Sequence, residues 1–183
     1  DLFLPSLDEI QIMLGYQEES LSPELLNRIS NQLLRLGAQI VVLKLGEAGL
    51  YLRTGCLSES LRTRLSRHLN SSPDCWDHRE LLVPCFKVNV AGTTGAGDST
   101  IAGFLAAFSA GHSPEDCLLT AVGVGACSVE QPDATQGVIS LEGVRERINS
   151  DWKQHTLCSS FSNWQATGTP SVFLGKQDAS RLK

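Results

Sequence analysis

The chain has no apolar run of membrane-spanning length, no lysine- or arginine-rich block, and no basic leader in its opening Asp1-Leu2-Phe3. The expectation is a soluble, cytoplasmic protein with no membrane partner. A net charge of -5 without a basic cluster argues against nucleic acid and leaves a small molecule as the expected substrate. Metal-binding spacing is also missing. Cys56, Cys75, Cys85, Cys117, Cys127 and Cys158 form no C-x-x-C pair, and the four histidines have no metal-like spacing with them. Reduced thiols, several of them buried, follow, and zinc has no support in the linear pattern. What is present suits one globular domain with a real core: 183 residues, 42% hydrophobic and 19% charged.

The most informative stretch runs from Val88 to Ala107, VNVAGTTGAGDSTIAGFLAA, and reads as strand, glycine-rich turn and helix. At its centre, Gly95-Ala96-Gly97-Asp98 precedes the apolar positions Ile101, Phe104, Leu105 and Phe108. Small residues at a helix start leave backbone N–H groups free to face an anion, so the turn is suited to phosphate. The spacing Gly92, Gly97, Ser99 nearly satisfies the P-loop pattern, but Asp98 stands where that motif has lysine. A carboxylate beside an anion pocket can instead take the proton from a hydroxyl that attacks phosphorus.

Gly92-Thr93-Thr94-Gly95-Ala96-Gly97-Asp98, followed by Ser99, Ala102 and Gly103, resembles the C-terminal signature of the ribokinase-like, or PfkB, carbohydrate kinases. The resemblance implies Asp98 as catalytic base and Gly95, Ala96 and Gly97 as the anion hole for the transferred phosphoryl group. Thr93 is expected near the nucleotide. Pro5-Ser6-Leu7-Asp8-Glu9 is similar to the family's PN-x-x-E motif, with Ser6 in place of Asn. That match gives Glu9 an indirect role towards Mg2+, while Ser6 and Glu9 also read as a plain capping box. Lys44-Leu45-Gly46-Glu47-Ala48-Gly49 resembles the nucleotide loop T-L-G-x-x-G, which implies ATP contacts from Lys44, Gly46 and Gly49. Ala121 and Gly125 correspond to a helix bordering the adenine, although an apolar stripe is also what ordinary helix packing requires.

The implied fold is α/β, ribokinase-like, a mostly parallel sheet flanked by helices. It covers the C-terminal portion only, without the lid. The implied cofactors are ATP and Mg2+. Gly92 replaces an aspartate that the family associates with a monovalent cation, which leaves cation dependence open. Residues 1–155 are expected to form the nucleotide-binding and catalytic part, and 156–183, polar and patternless, a loosely ordered tail. The family's N-terminal half carries sugar contacts and the lid that often mediates dimers, so a homodimer would be expected through that half. The activity implied is ATP-dependent phosphoryl transfer to a hydroxyl of a sugar or sugar-like substrate. The alternative is a non-catalytic nucleotide-binding or interaction module.

Local signals complete the expectation. Ser22-Pro23-Glu24 starts a helix that Gly37 stops, Ile40-Val41-Val42-Leu43 reads as a buried strand, and Leu50 to Arg53 returns as a hairpin. Thr54 to Leu82 is a surface excursion with a weak helix, in which Trp76 and His78 are expected to pack. Val83 to Val90 should be a strand, Ser113-Pro114 should start a second glycine-containing helix, and Ser140 should cap a last one to Ile148.

Overall fold

The computed structural model describes residues 1–16, 19–70, 72–168 and 170–178. Along the chain come β1 (Leu2–Phe3), α1 (Leu7–Leu14), α2 (Pro23–Arg35), β2 (Ile40–Lys44), β3 (Leu50–Thr54), α3 (Glu59–Leu65) and β4 (Glu80–Val83). Then follow α4 (Ala96–Ser109), α5 (Pro114–Val129), α6 (Leu141–Asn149), β5 (Gln165–Thr167) and β6 (Val172–Leu174). The helices begin where hydroxyl caps stand. Ser22, Ser58, Ser113 and Ser140 each accept a backbone N–H of the first turn, and Pro23 and Pro114 occupy positions where a missing N–H costs nothing.

The strands form one sheet in the order β1-β2-β3-β4-β6-β5. Helices flank it as expected, but the sheet is mixed rather than mostly parallel. β1 pairs with β2 in parallel, while β2–β3, β3–β4, β4–β6 and β6–β5 are antiparallel. The reason is connection length, since the turn between Lys44 and Leu50 is far too short for a parallel crossover. β2 is buried on both faces. Ile40 and Val42 join the core formed with Leu52, Leu81 and the helices α4 and α5, whereas Val41 and Leu43 pack with Leu25, Leu26 and Ile29 of α2.

Close helix packing places α4 over the first of these faces. A Cβ at Gly103 would stand 2.9 Å from Cβ of Val124, and one at Gly125 would stand 2.3 Å from Oγ1 of Thr100. Small residues therefore let α4 and α5 approach until their backbones nearly touch. Trp76 is wholly buried and meets Phe108 edge-on at 5.1 Å, as expected of a packing residue. His78 is exposed, so the packing expected of it is not found.

Two other expectations are corrected. The strand expected over Val83 to Val90 ends at Val83; beyond it the backbone pairs only in places, with Phe86 bridging Gln154. Pro84 lacks the N–H that would continue the ladder. The tail beyond Thr156, expected to be loose, instead adds β5 and β6 to the sheet, the last strand ending at Leu174; 169 and 179–183 lie outside the described residues. β6 pairs with β4, Phe161 and Trp164 are buried, and the buried carboxylate of Asp178 accepts hydrogen bonds from Glu80 N (2.8 Å) and Arg79 Nε (3.0 Å). Strands of three residues are too short to show a period, and their partner lies far away in the chain. Among the described residues, no helix is long and apolar enough to cross a membrane.

Candidate functional site

The parallel pairing of β1 and β2 continues past β1 as a bridge between Ser6 and Lys44, with Lys44 N donating to Pro5 O at 3.0 Å. The start of α1 is thereby fixed beside the carboxyl end of β2, where open α/β sheets bind ligands. Ser6 and Glu9 form a complete capping box: Ser6 Oγ accepts Glu9 N (3.2 Å) and Glu9 Oε2 accepts Ser6 N (2.8 Å). After Lys44 the chain turns tightly, Leu45 N donating to Gly49 O (2.9 Å) and Gly46 adopting φ 59°. A left-handed residue at this position is most easily supplied by glycine.

The start of α4 faces this turn. Gly95, at φ 74°, precedes the helix and offers no side-chain cap, so the first amides of α4 lack the acceptor that a serine would have provided. A Cβ on Gly97 would lie 3.4 Å from Lys44 Nζ. The ammonium thus rests against the positive end of the helix. A cavity of about 390 Å³ opens here, lined by Ser6, Asp8, Gln11, Lys44, Gly46 and Gly97 among others. A lysine, a helix start and a glycine turn around one space make an anion site by simple electrostatics.

Asp98, the next residue after Gly97, lies in the first turn of α4 and is exposed. Its carboxylate is not turned into the core. Glu9 is also exposed; the backbone and hydroxyl hydrogen bonds with Ser6 hold its carboxyl below the ordinary range, with Lys44 adding a smaller pull in the same direction. Thr93 is exposed and its carbonyl accepts Ala96 N at 3.2 Å, so one of the three amides expected in the anion hole also closes the turn. Gly92 packs on another segment, since a Cβ there would be 2.9 Å from Pro132 Cα.

The structure therefore brings together Lys44, Gly46 and Gly97, with Gly95 and Ala96 leading into the same turn. Glu9 stands beside the cavity through its cap with Ser6. Gly49, Ala121 and Gly125 are not brought there. A Cβ on Gly49, at φ 110°, would stand 2.0 Å from Val83 O, so the close approach this glycine permits is to the protein's own backbone. Ala121 is wholly buried and Gly125 faces Thr100, both within the α4–α5 packing. Asp8, Gln11 and Glu19 line the cavity and were not foreseen. The capping box sets the phase of α1 and could have pointed to Asp8; nothing local points to Glu19. Cys85 Sγ donates to Gly46 O at 3.5 Å, and burial, aided by the Glu47 charge, pushes this thiol up to about 11.

Comparison with known proteins bears on the fold and the family. Among curated proteins no sequence matches significantly. Solved structures do match. The chain is similar to the ribokinase of Thermotoga maritima (25% identity, TM-score 0.57, 80% of this chain and 41% of that one). It is also similar to the Arabidopsis thaliana ribokinase complexed with ribose and ATP (22%, 0.63, 80% and 40%). A third neighbour is the aminoimidazole riboside kinase of Salmonella enterica (19%, 0.57, 82% and 42%). The chain thus spans about two fifths of the length of these neighbours. The fold is ribokinase-like, and the profile of the pfkB family carbohydrate kinases matches residues 1–140. On that match, with the signature turn at the head of α4, the chain belongs to the pfkB family of carbohydrate kinases.

Proposed function

We propose that this chain supplies the nucleotide-binding and base-bearing part of an enzyme that transfers the γ-phosphoryl group of ATP to a hydroxyl of a sugar or sugar-like substrate. The observation that supports it most is the meeting of Lys44, the Gly46 turn and the start of α4 at one cavity, with an exposed Asp98 one residue beyond. Lys44 binds and orients phosphate oxygens. The amides of Gly95, Ala96 and Gly97 face charge that grows on the phosphoryl group in flight. Asp98 accepts the proton of the attacking hydroxyl. Thr93 lies close enough in the chain to help seat the nucleotide.

Mg2+ fits the donor set, because Asp8 brings hard carboxylate oxygens to the cavity that holds Lys44 and Glu9 lies one residue from Asp8, while Glu19, also lining it, pairs its carboxylate with Arg28. When bound, the ion would neutralise phosphate charge. The neighbours named above act on ribose-type molecules, which supports a sugar-like acceptor; a soluble, cytoplasmic enzyme is consistent with the family. Replacing Asp98 by Asn should lower turnover about 10²–10⁴-fold while ATP affinity stays within about twofold. Near-normal turnover would overturn the base assignment.

A second reading, a nucleotide-binding module without catalysis, is favoured by the departures at Ser6 and Gly92. The side chain of Ser6 is engaged in the capping box, and Gly92 is packed against Pro132 with no room for a longer side chain. An ADP-release assay over a panel of sugars and nucleosides separates the two: binding without turnover in the protein that carries this chain supports the module.

A further inference from the structure

At the opposite end of β3 from the Gly46 turn, three potential metal ligands converge. One donor atom each of Cys56, Asp77 and His78 lies within 4.8 Å of the others. Cys56 and His78 are exposed, and Asp77 is half-buried. Distance in sequence hides this group, but the fold pins its two loops together. His78 N donates to Gly55 O (3.1 Å), Leu57 N donates to Asp77 Oδ1 (2.8 Å), and Thr54 Oγ1 donates to Trp76 O (2.6 Å) while accepting Arg79 N (2.8 Å). The ligands are therefore held on a scaffold rather than on free loops.

His78 is at φ 49°, the left-handed region, and is the non-glycine residue with positive φ among those described. In extended chain, consecutive side chains point to opposite sides. Asp77 is extended at φ -86° and ψ 132°; the change of hand at His78 breaks the alternation and lets both residues present a donor to Cys56. Such a conformation is strained outside glycine, and here it accompanies a ring nitrogen placed beside Cys56 and Asp77.

We propose that Cys56, Asp77 and His78 bind a zinc ion. A thiolate, an imidazole nitrogen and a carboxylate are together a zinc-type donor set, softer than the all-oxygen sets of Mg2+ or Ca2+. Donor atoms around tetrahedral zinc stand roughly 3.3–3.8 Å apart, so small side-chain rotations close the present spacing. Water completes the fourth position. Ligating carboxylates are generally held by outer partners, and here Arg62 Nη2 lies 2.6 Å from Asp77 Oδ2 while Leu57 N holds Oδ1. Each carboxylate oxygen retains a lone pair for the metal. β3, five residues long, separates this group from the phosphate turn, so the ion would clamp the β3–α3 and Trp76–β4 turns together rather than take part in phosphoryl transfer.

The test is titration of the untagged protein with Zn2+ by calorimetry, and with Co2+ as a spectroscopic probe. The expected result is one ion per chain, a thiolate-to-cobalt charge-transfer band, and a rise in melting temperature with Zn2+. Cys56→Ser should remove the band. His78→Asn, which keeps a residue tolerant of left-handed backbone, should weaken Zn2+ about tenfold or more. Lys44→Met and Cys158→Ser should leave binding unchanged. A thiolate band that survives Cys56→Ser, or no stoichiometric binding by the unaltered protein, overturns the site.

Discussion

Glycines at the mouth of the cavity and glycines packed inside the fold behave as two different materials. Gly46 and Gly97 border open space or the end of the Lys44 side chain, whereas Gly49, Gly103, Gly123 and Gly125 are pressed against backbone or core side chains. The first pair leaves room for a ligand. The second set leaves room only for the protein, and the comparison shows why glycine in a motif does not by itself identify a binding surface.

Substitutions at these glycines test the contrast. The largest effect is expected at Gly49→Ala, where the new methyl would stand 2.0 Å from Val83 O at φ 110°, so the β3–β4 pairing must shift. A loss of about 3 kcal/mol or more is expected in urea unfolding. At Gly125→Ala the methyl would meet the Thr100 hydroxyl, whose side chain can rotate away; about 1–3 kcal/mol should be lost, with ATP affinity unchanged per folded molecule. Gly97→Ala should reverse this pattern. Alanine suits a helix there, so stability should stay equal or rise by about 0.4–1 kcal/mol. The methyl standing 3.4 Å from Lys44 Nζ should nevertheless weaken ATP several-fold by calorimetry. If Gly97→Ala destabilises and Gly49→Ala does not, the two classes have been misassigned.

The smallest effect lies away from both regions. Arg147 bonds both oxygens of Glu130, linking the end of α5 to α6, and these hydrogen bonds hold the Glu130 carboxyl below its ordinary value of 4.5. A depressed carboxylate contributes stability above its unfolded pKa, and that contribution is lost as pH falls through the lower folded value. Acid unfolding below about pH 4.5 should therefore be less steep in Glu130→Gln, and the cost at neutral pH should be about 1 kcal/mol or less for a pair this exposed.

Much of this molecule is legible from local chemistry. Ser6-Glu9, Ser22-Pro23, Ser113-Pro114 and Ser140 mark their helices because capping involves residues only a few positions apart. The β2–β3 hairpin is legible for the same reason, and it delivers Lys44 and Gly46 to the cavity. What is hidden depends on distant partners. β5 and β6 are three-residue strands whose meaning comes from β4 and from the buried Asp178–Arg79 pair. Glu19 reaches the cavity, and Cys56 reaches His78, only after the chain has folded back. Ala121 and Gly125 show the converse case: a small-residue stripe in sequence is resolved into helix packing by Gly103 and Thr100 on α4.

In the proposed site, phosphate binds between the Gly46 turn and the start of α4, with Lys44 as its cation. Calorimetric titration of Mg2+·ATP into the protein and into its Lys44→Met variant, with melting curves to show that both are folded, reads this contact. Binding by the unaltered protein and a loss of about tenfold or more in the variant are expected, as for a charge-assisted phosphate contact. Equal affinity in the two proteins would contradict it.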